Sequence, residues 1–141
     1  MAALVDTNVL VYVHDPRVPA KQRRAAELLL QGLEADTVRL PHQAIVEFVA
    51  AVTRAPASGS PLMPPAEARR EAEELLTIFP VLYPNDSVVR TALRGAAMYG
   101  LSCFDAHMWA YAEVYGLSEL WSEDFQHDRL YGTVRAVNPF L

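Results

Sequence analysis

The sequence predicts an α/β fold with a largely parallel sheet. Two observations carry this expectation. Short apolar runs of strand length alternate with longer segments of helical periodicity, the order that builds parallel sheets through helical crossovers. Two of the strand-like runs also lead into acids: Ala3-Leu4-Val5 into Asp6, and Leu120-Trp121 into Ser122-Glu123-Asp124. In open parallel sheets, chemistry gathers outside the carboxyl ends of the strands. A chain of 141 residues, 52% of them apolar, suits a single domain over 1–141 with a real hydrophobic core.

Taken in order, the first run reads as a buried strand with Asp6 at its end. Thr7 and Asn8 then serve as caps for a short helix over Val9-Leu10-Val11-Tyr12-Val13. Pro16 to Pro19 is a turn. A helix follows from Ala20 to near Gly32, with Ala25, Leu28, Leu29 and Leu33 at helical spacing. Thr37 to Leu40 is a strand closed by Pro41. His42 to Arg54 is a strongly apolar helix with Ile45, Phe48, Val49 and Val52 as its core stripe. The proline-, glycine- and serine-rich stretch 55–65 is a loop. Helix 66–79, strand 81–83 and a helix from Asn85 or Asp86 to Tyr99, stopped by Gly100, come next. The last helix starts at Ser102 in a Ser-x-x-Asp capping pattern with Asp105 and stops at Gly116. Strands ending at Trp121 and spanning Val134 to Val137 complete the chain.

Four acids stand out against this background. Asp6 and Asp124 follow strands, and both strand ends and adjoining helix starts share one edge of a parallel sheet. Asp105 lies in the first turn of a helix. Glu47 interrupts an almost unbroken apolar run from Ala44 to Val52, so it either faces a cleft or is buried at a cost. Each has a plainer structural reading: Asp6 and Asp105 as helix caps, Glu47 on a wet helix face. Together they can converge, and four carboxylates in one cleft do not all stay ionised at neutral pH without a compensating cation. The single Cys103 excludes a disulfide framework or a cysteine-based zinc cage and suits a reducing cytoplasm. His107 sits on another helix face from Asp105 and reads as a polar contact or a satisfied core histidine rather than a ligand. Oxygen-only donors select Mg²⁺ or Mn²⁺. Such a site suits metal-assisted hydrolysis of phosphodiesters.

The net charge of −5 argues at first against a nucleic-acid partner, but setting four metal-bound carboxylates aside brings it to about −1. The 12 basic residues are all arginine except Lys21, and arginine suits phosphate and carboxylate alike. No apolar run is long enough to span a membrane, and the N-terminus lacks a signal-peptide pattern.

The combination of Val5-Asp6-Thr7-Asn8-Val9-Leu10, Glu47 inside an apolar helix, Asp105-Ala106 at a helix start and Ser122-Glu123-Asp124 resembles the PIN-domain ribonucleases. It is especially similar to the VapC-like toxins of toxin–antitoxin modules. The tail Trp121 to Asp128 with Val134 to Phe140 resembles one subgroup of them, and the resemblance spans essentially the whole chain. It implies a PIN-like three-layer α/β/α sandwich and an endoribonuclease that holds Mg²⁺ or Mn²⁺ through Asp6, Glu47, Asp105 and Asp124. It implies that Asn8 and Ser122 orient those carboxylates, with Glu123 a candidate accessory to Asp124. It also implies an RNA substrate, a cognate antitoxin and a homodimer. Arg17, Lys21, Arg23, Arg24 and Arg54 are the candidates for holding RNA.

Three other readings compete. In a non-catalytic PIN-like binding module the acids merely cap helices and the chain acts through protein or RNA contacts. A phosphoryl-acceptor domain also places acids at strand ends, but it wants a lysine near the last strands, and Lys21 is remote in sequence. A dinucleotide-binding enzyme needs a glycine-rich turn after the first strand, where this chain has Thr7-Asn8.

Overall fold

A computed structural model describes residues 2–57 and 59–141. Ser58, inside the loop expected over 55–65, lies outside the described residues, as does Met1. The elements run β1 (Ala3–Val5), α1 (Thr7–Tyr12), α2 (Pro19–Ala35), β2 (Val38–Pro41), α3 (His42–Thr53), α4 (Pro65–Ile78) and β3 (Val81–Leu82). They continue with α5 (Asp86–Tyr99), α6 (Cys103–Tyr115), β4 (Glu119–Trp121), β5 (Leu130–Tyr131) and β6 (Val134–Val137). The sheet order is β3-β2-β1-β4-β6-β5, parallel throughout except for β5 against β6. Helices α1 to α4 form one connected group, while α5 and α6 pack on each other and α6 lies against β1, β4 and β6. The result is a three-layer α/β/α sandwich around a largely parallel sheet.

β1 is central, and all three of its side chains are buried. That is the expected state of a parallel strand covered on both faces, and it explains why the run is apolar without alternation. The ladder continues past the strand ends. The Asp6 amide donates to the Trp121 carbonyl at 3.0 Å, and the Ser122 amide to that of Val137 at 3.0 Å. Asp6 and Ser122 are therefore fixed by the backbone of the sheet before their side chains make any contact.

Several boundaries differ from the sequence expectation. Thr7 and Asn8 are the first turn of α1, and the cap is Asp6 itself, whose carboxylate accepts from the Thr7 amide at 2.6 Å. Gly32 does not end α2; it lies buried inside it, and the helix stops at Asp36 in the left-handed region. A Cβ at Gly32 would stand 2.1 Å from Val38 Cγ2, so glycine is there to let the helix lie against β2. The edge strand β5 carries no clear signal in the sequence. Its Tyr131 ring packs edge-on against Tyr99 and Phe125, and the Tyr131 carbonyl accepts from Trp109 Nε1 at 2.9 Å. Tertiary contacts, not local propensity, make it a strand.

Candidate active site

The carboxyl edge of β1 and β4 gathers most of the predicted residues. The hub is Ser122, fully buried behind β4. Its hydroxyl donates to Asp6 Oδ2 at 2.6 Å and accepts from the Asp124 amide at 3.0 Å and from Asn8 Nδ2 at 3.2 Å. Asn8 Nδ2 also donates to Asp124 Oδ2 at 3.0 Å. Asp6 is thus held at both oxygens, by the Thr7 amide and by Ser122. Asp124 is exposed at the mouth of the cleft.

Glu47 enters from α3, half-buried. Thr7 Oγ1 donates to its Oε1 at 2.7 Å and Gln43 Nε2 to its Oε2 at 2.9 Å. Thr7 and Gln43 are positioning residues that the sequence reading missed. The signal for Gln43 is its place one helical turn before Glu47. Asp105 lies in the first turn of α6, where Ser102 caps the helix by accepting from the Asp105 amide at 3.1 Å. The Ser102 cap is formed, and Asp105 also lies near enough to Asp124 and Glu47 to feel their charges.

The electrostatics tie the four acids together. Burial pushes the Asp6 carboxyl up to about 7; hydrogen bonds from Ser122 and Thr7 pull it down without cancelling this, and the charges of Asp124 and Glu47 push it further up. Asp105 is raised for the same reasons: burial first, opposed by Ser102, then the charges of Asp124 and Glu47. Among the described residues, however, no three His, Cys, Asp or Glu side chains are drawn onto a single point as a formed metal centre. The acids are close enough to feel one another's charge, and Asp6, Glu47 and Asp124 are each held by protein hydrogen bonds.

The donor set fits a hard divalent cation. It is oxygen only, it carries repulsion that a cation would relieve, and Asn8 Oδ1 is buried beside it without a partner among the described residues. Asp6, Glu47, Asp105 and Asp124 would hold the ion. When bound, it would supply the charge that lets all four acids ionise and would polarise a phosphodiester. Ser122, Asn8, Thr7 and Gln43 keep the carboxylates oriented whatever fills the cleft.

Glu123 lines the same groove as Asp124 but is already paired. Tyr12 Oη donates to its Oε1 at 2.6 Å and Lys21 Nζ to its Oε2 at 2.8 Å. Lys21 also lies over the Tyr12 and Phe140 rings. The lysine that is remote in sequence is therefore beside the end of β4 in space. Of the other basic candidates, Arg17 is paired through two hydrogen bonds with the buried Asp15, and Arg24 Nε donates to the Pro139 carbonyl at 3.0 Å. Arg23 and Arg54 are exposed. A groove lined by Asn8, Val11, Ala51 and Asp124 adjoins, through Val11 and Ala51, a recess lined by Arg17 and Arg54. His107 makes the expected polar contact, its Nδ1 lying 2.7 Å from the Cys103 carbonyl.

Among curated proteins no sequence match is found. Solved structures share the fold at low identity. A toxin–antitoxin complex from Klebsiella pneumoniae is 20% identical, with 98% of each chain covered and a TM-score of 0.68. VapC20 from Mycobacterium tuberculosis, described as a sarcin–ricin loop cleaving toxin, is 17% identical, covering 95% of this chain and 99% of that one at a TM-score of 0.61. A promoter-DNA-bound VapBC2 from Rickettsia felis is 10% identical over 96% of this chain and 97% of that one, at a TM-score of 0.69. The family model for the PIN domain matches residues 3–132. That match covers both strand-end acids, the helix-borne Glu47 and Asp105, and the Ser122 hub, and the chain belongs to the PIN domain family.

Proposed function

We propose that this chain is a Mg²⁺- or Mn²⁺-dependent endoribonuclease, hydrolysing RNA phosphodiester bonds as the toxin half of a toxin–antitoxin pair. The observation that carries the reading is the nearness of Asp6, Glu47, Asp105 and Asp124 at one sheet edge, with Asp6 and Asp105 raised first by burial and further by the charges of Asp124 and Glu47. Buried acids held at such a disadvantage are more common at working sites than in plain structure. A structural neighbour described as a toxin–antitoxin complex, and one described as a sarcin–ricin loop cleaving toxin, support the toxin and nuclease parts of the proposal. A cognate antitoxin, a homodimer and a cytoplasmic location belong to the same reading. Arg54 is the basic residue best placed to meet RNA phosphate, Arg23 is exposed, and Arg17, Lys21 and Arg24 carry structural pairings as well.

In this reading Ser122 and Asn8 fix Asp6 and Asp124, and Thr7 and Gln43 fix Glu47, so that little reorganisation remains when charge develops on the phosphate. One observation favours a non-catalytic binding module: the carboxylates are not drawn onto a point among the described residues. Titration calorimetry with Mn²⁺ separates the two. Loss of binding in both Asp6→Asn and Asp105→Asn would mean that the two acids share one ion and would support the nuclease. Binding indifferent to both changes would support the module.

A further inference from the structure

We propose that the recess beside Glu47, between the start of α3 and the start of α6, is a nucleobase pocket that seats a base next to the scissile phosphate. The recess holds about 320 Å³ and is lined by His42, Gln43, Val46, Glu47, Phe104 and His107, among others. That volume falls in the range of small-molecule sites, about 300–1,000 Å³. This inference rests on the nuclease reading, because it takes the acids as the place where RNA is cut.

The pocket is continuous with the acid site. Glu47 belongs to both, and Phe104 immediately precedes Asp105. Gln43 joins them physically, with Nε2 donating to Glu47 Oε2 at 2.9 Å and to the Phe104 carbonyl at 3.0 Å. A base on a nucleotide whose phosphate lies at the acids is one ribose away from that phosphate, which is the reach this continuity requires. The walls suit a π-face. Phe104 is 72% exposed and Val46 56% exposed, an unusual state for two apolar side chains flanking one recess. His42 and the exposed Tyr83 pair at the rim, with ring centroids 5.5 Å apart. Aromatic faces of this kind hold single-stranded bases by stacking.

The polar groups at the pocket add a preference. Both partners of Gln43 Nε2 are acceptors only, which fixes the amide and leaves Oε1 as an acceptor. The Cys103 carbonyl likewise fixes a proton on His107 Nδ1, leaving Nε2 an acceptor in the neutral ring. Two acceptors favour a base that presents an exocyclic amino group.

The test is binding of a cleavage-resistant 2′-O-methyl hexanucleotide in Mn²⁺, with an abasic site walked along it, in wild type, Phe104→Ala and Phe104→Trp. In wild type one position is expected to lose about 5- to 150-fold in affinity, the range of one base–aromatic stack. That loss should shrink to within about twofold in Phe104→Ala and persist in Phe104→Trp. At the sensitive position cytosine should bind more tightly than uracil, and the reverse order would overturn the amino preference. An abasic profile identical in wild type and Phe104→Ala overturns the pocket while leaving the nuclease standing. If that identical profile comes with dissociation of a dimer in Phe104→Ala, the recess is a protein interface. No binding of the hexanucleotide by wild type, together with no cleavage of its ribose counterpart, overturns both readings.

Discussion

Ser122 Oγ lies 2.6 Å from Asp6 Oδ2, joining residues 116 positions apart at the ends of adjacent strands. The same oxygen accepts from Asn8 and from the Asp124 amide, so one buried hydroxyl sets three groups at once. Ser122→Ala takes this partner from Asp6 Oδ2 and from the Asp124 amide, while Asn8 keeps its bond to Asp124 and Asp6 its bond from Thr7, and a loss of about 1–3 kcal/mol in stability is expected by urea unfolding. Mn²⁺ affinity should fall about 10–100-fold, as for other groups that orient ligands. Ser122→Thr keeps the hydroxyl and should retain most of the affinity; equal losses in both variants would show that packing, not the hydrogen bond, matters.

The raised Asp6 sets a pH dependence with a definite sign. Its carboxyl titrates at about 7 in the fold against 3.8 ordinarily, so between these values the native state holds a proton that the unfolded chain has released. Without metal, stability is highest below about pH 4 with respect to this group, falls as pH rises toward 7, and is then level. Each pKa unit is worth about 1.4 kcal/mol, so the penalty approaches about 4 kcal/mol. Asp105, also raised, acts in the same direction. Thermal melts from pH 4 to 8 should show the fall in wild type and a flatter curve in Asp6→Asn. Saturating Mn²⁺ should raise the melting temperature of wild type at pH 7.5 and leave Asp6→Asn almost unchanged.

Glu123 and Asp124 are neighbours with different employments. Glu123 is taken up by Tyr12 and Lys21, whereas Asp124 receives Asn8 at the cleft. Calorimetry should find Mn²⁺ affinity within about twofold of wild type in Glu123→Gln and at least about tenfold weaker in Asp124→Asn. The opposite order would move the ligand by one residue.

The α5–α6 contact is tight at Gly95, where an added Cβ would sit 2.2 Å from Trp109 Cζ3. Gly95→Ala should cost about 1–3 kcal/mol through overpacking. Trp109 is also bonded to the Tyr131 carbonyl, so hydrogen exchange should quicken at β5 as well. Protection of β5 unchanged in Gly95→Ala would uncouple the two.

Charge reversal separates the arginines. Arg54→Glu should weaken RNA binding most at low salt and reduce the salt slope by about 0.7 per lost single-strand phosphate contact, with stability unchanged. Arg17→Glu breaks the pair with buried Asp15, so it should lower stability as well. An unaltered salt slope in Arg54→Glu removes that residue from the RNA path.

The fold class was readable because parallel strands covered on both faces must be apolar, and their carboxyl ends are where acids become conspicuous. Asp6 and Asp124 announced themselves that way, Glu47 by breaking an apolar helix. What holds them was less visible. Thr7 and Gln43 are ordinary polar residues until α3 brings Glu47 beside α1. Lys21 is 102 positions from Glu123 and still touches it, so sequence separation was a poor argument about which lysine stands near the last strands. β5 was illegible for a related reason, since its two residues are made a strand by rings contributed from elsewhere in the chain.

Asp6 caps α1 and also stands in the cleft, and asparagine caps a helix as well as aspartate does. One substitution therefore silences the acid while keeping the helix, and it removes the burdened charge in the same step. Asp6 uses both of its oxygens, one for the Thr7 amide and one for the Ser122 hydroxyl, and asparagine has a single oxygen, so the inert form keeps its helix cap only by giving up the bond from Ser122.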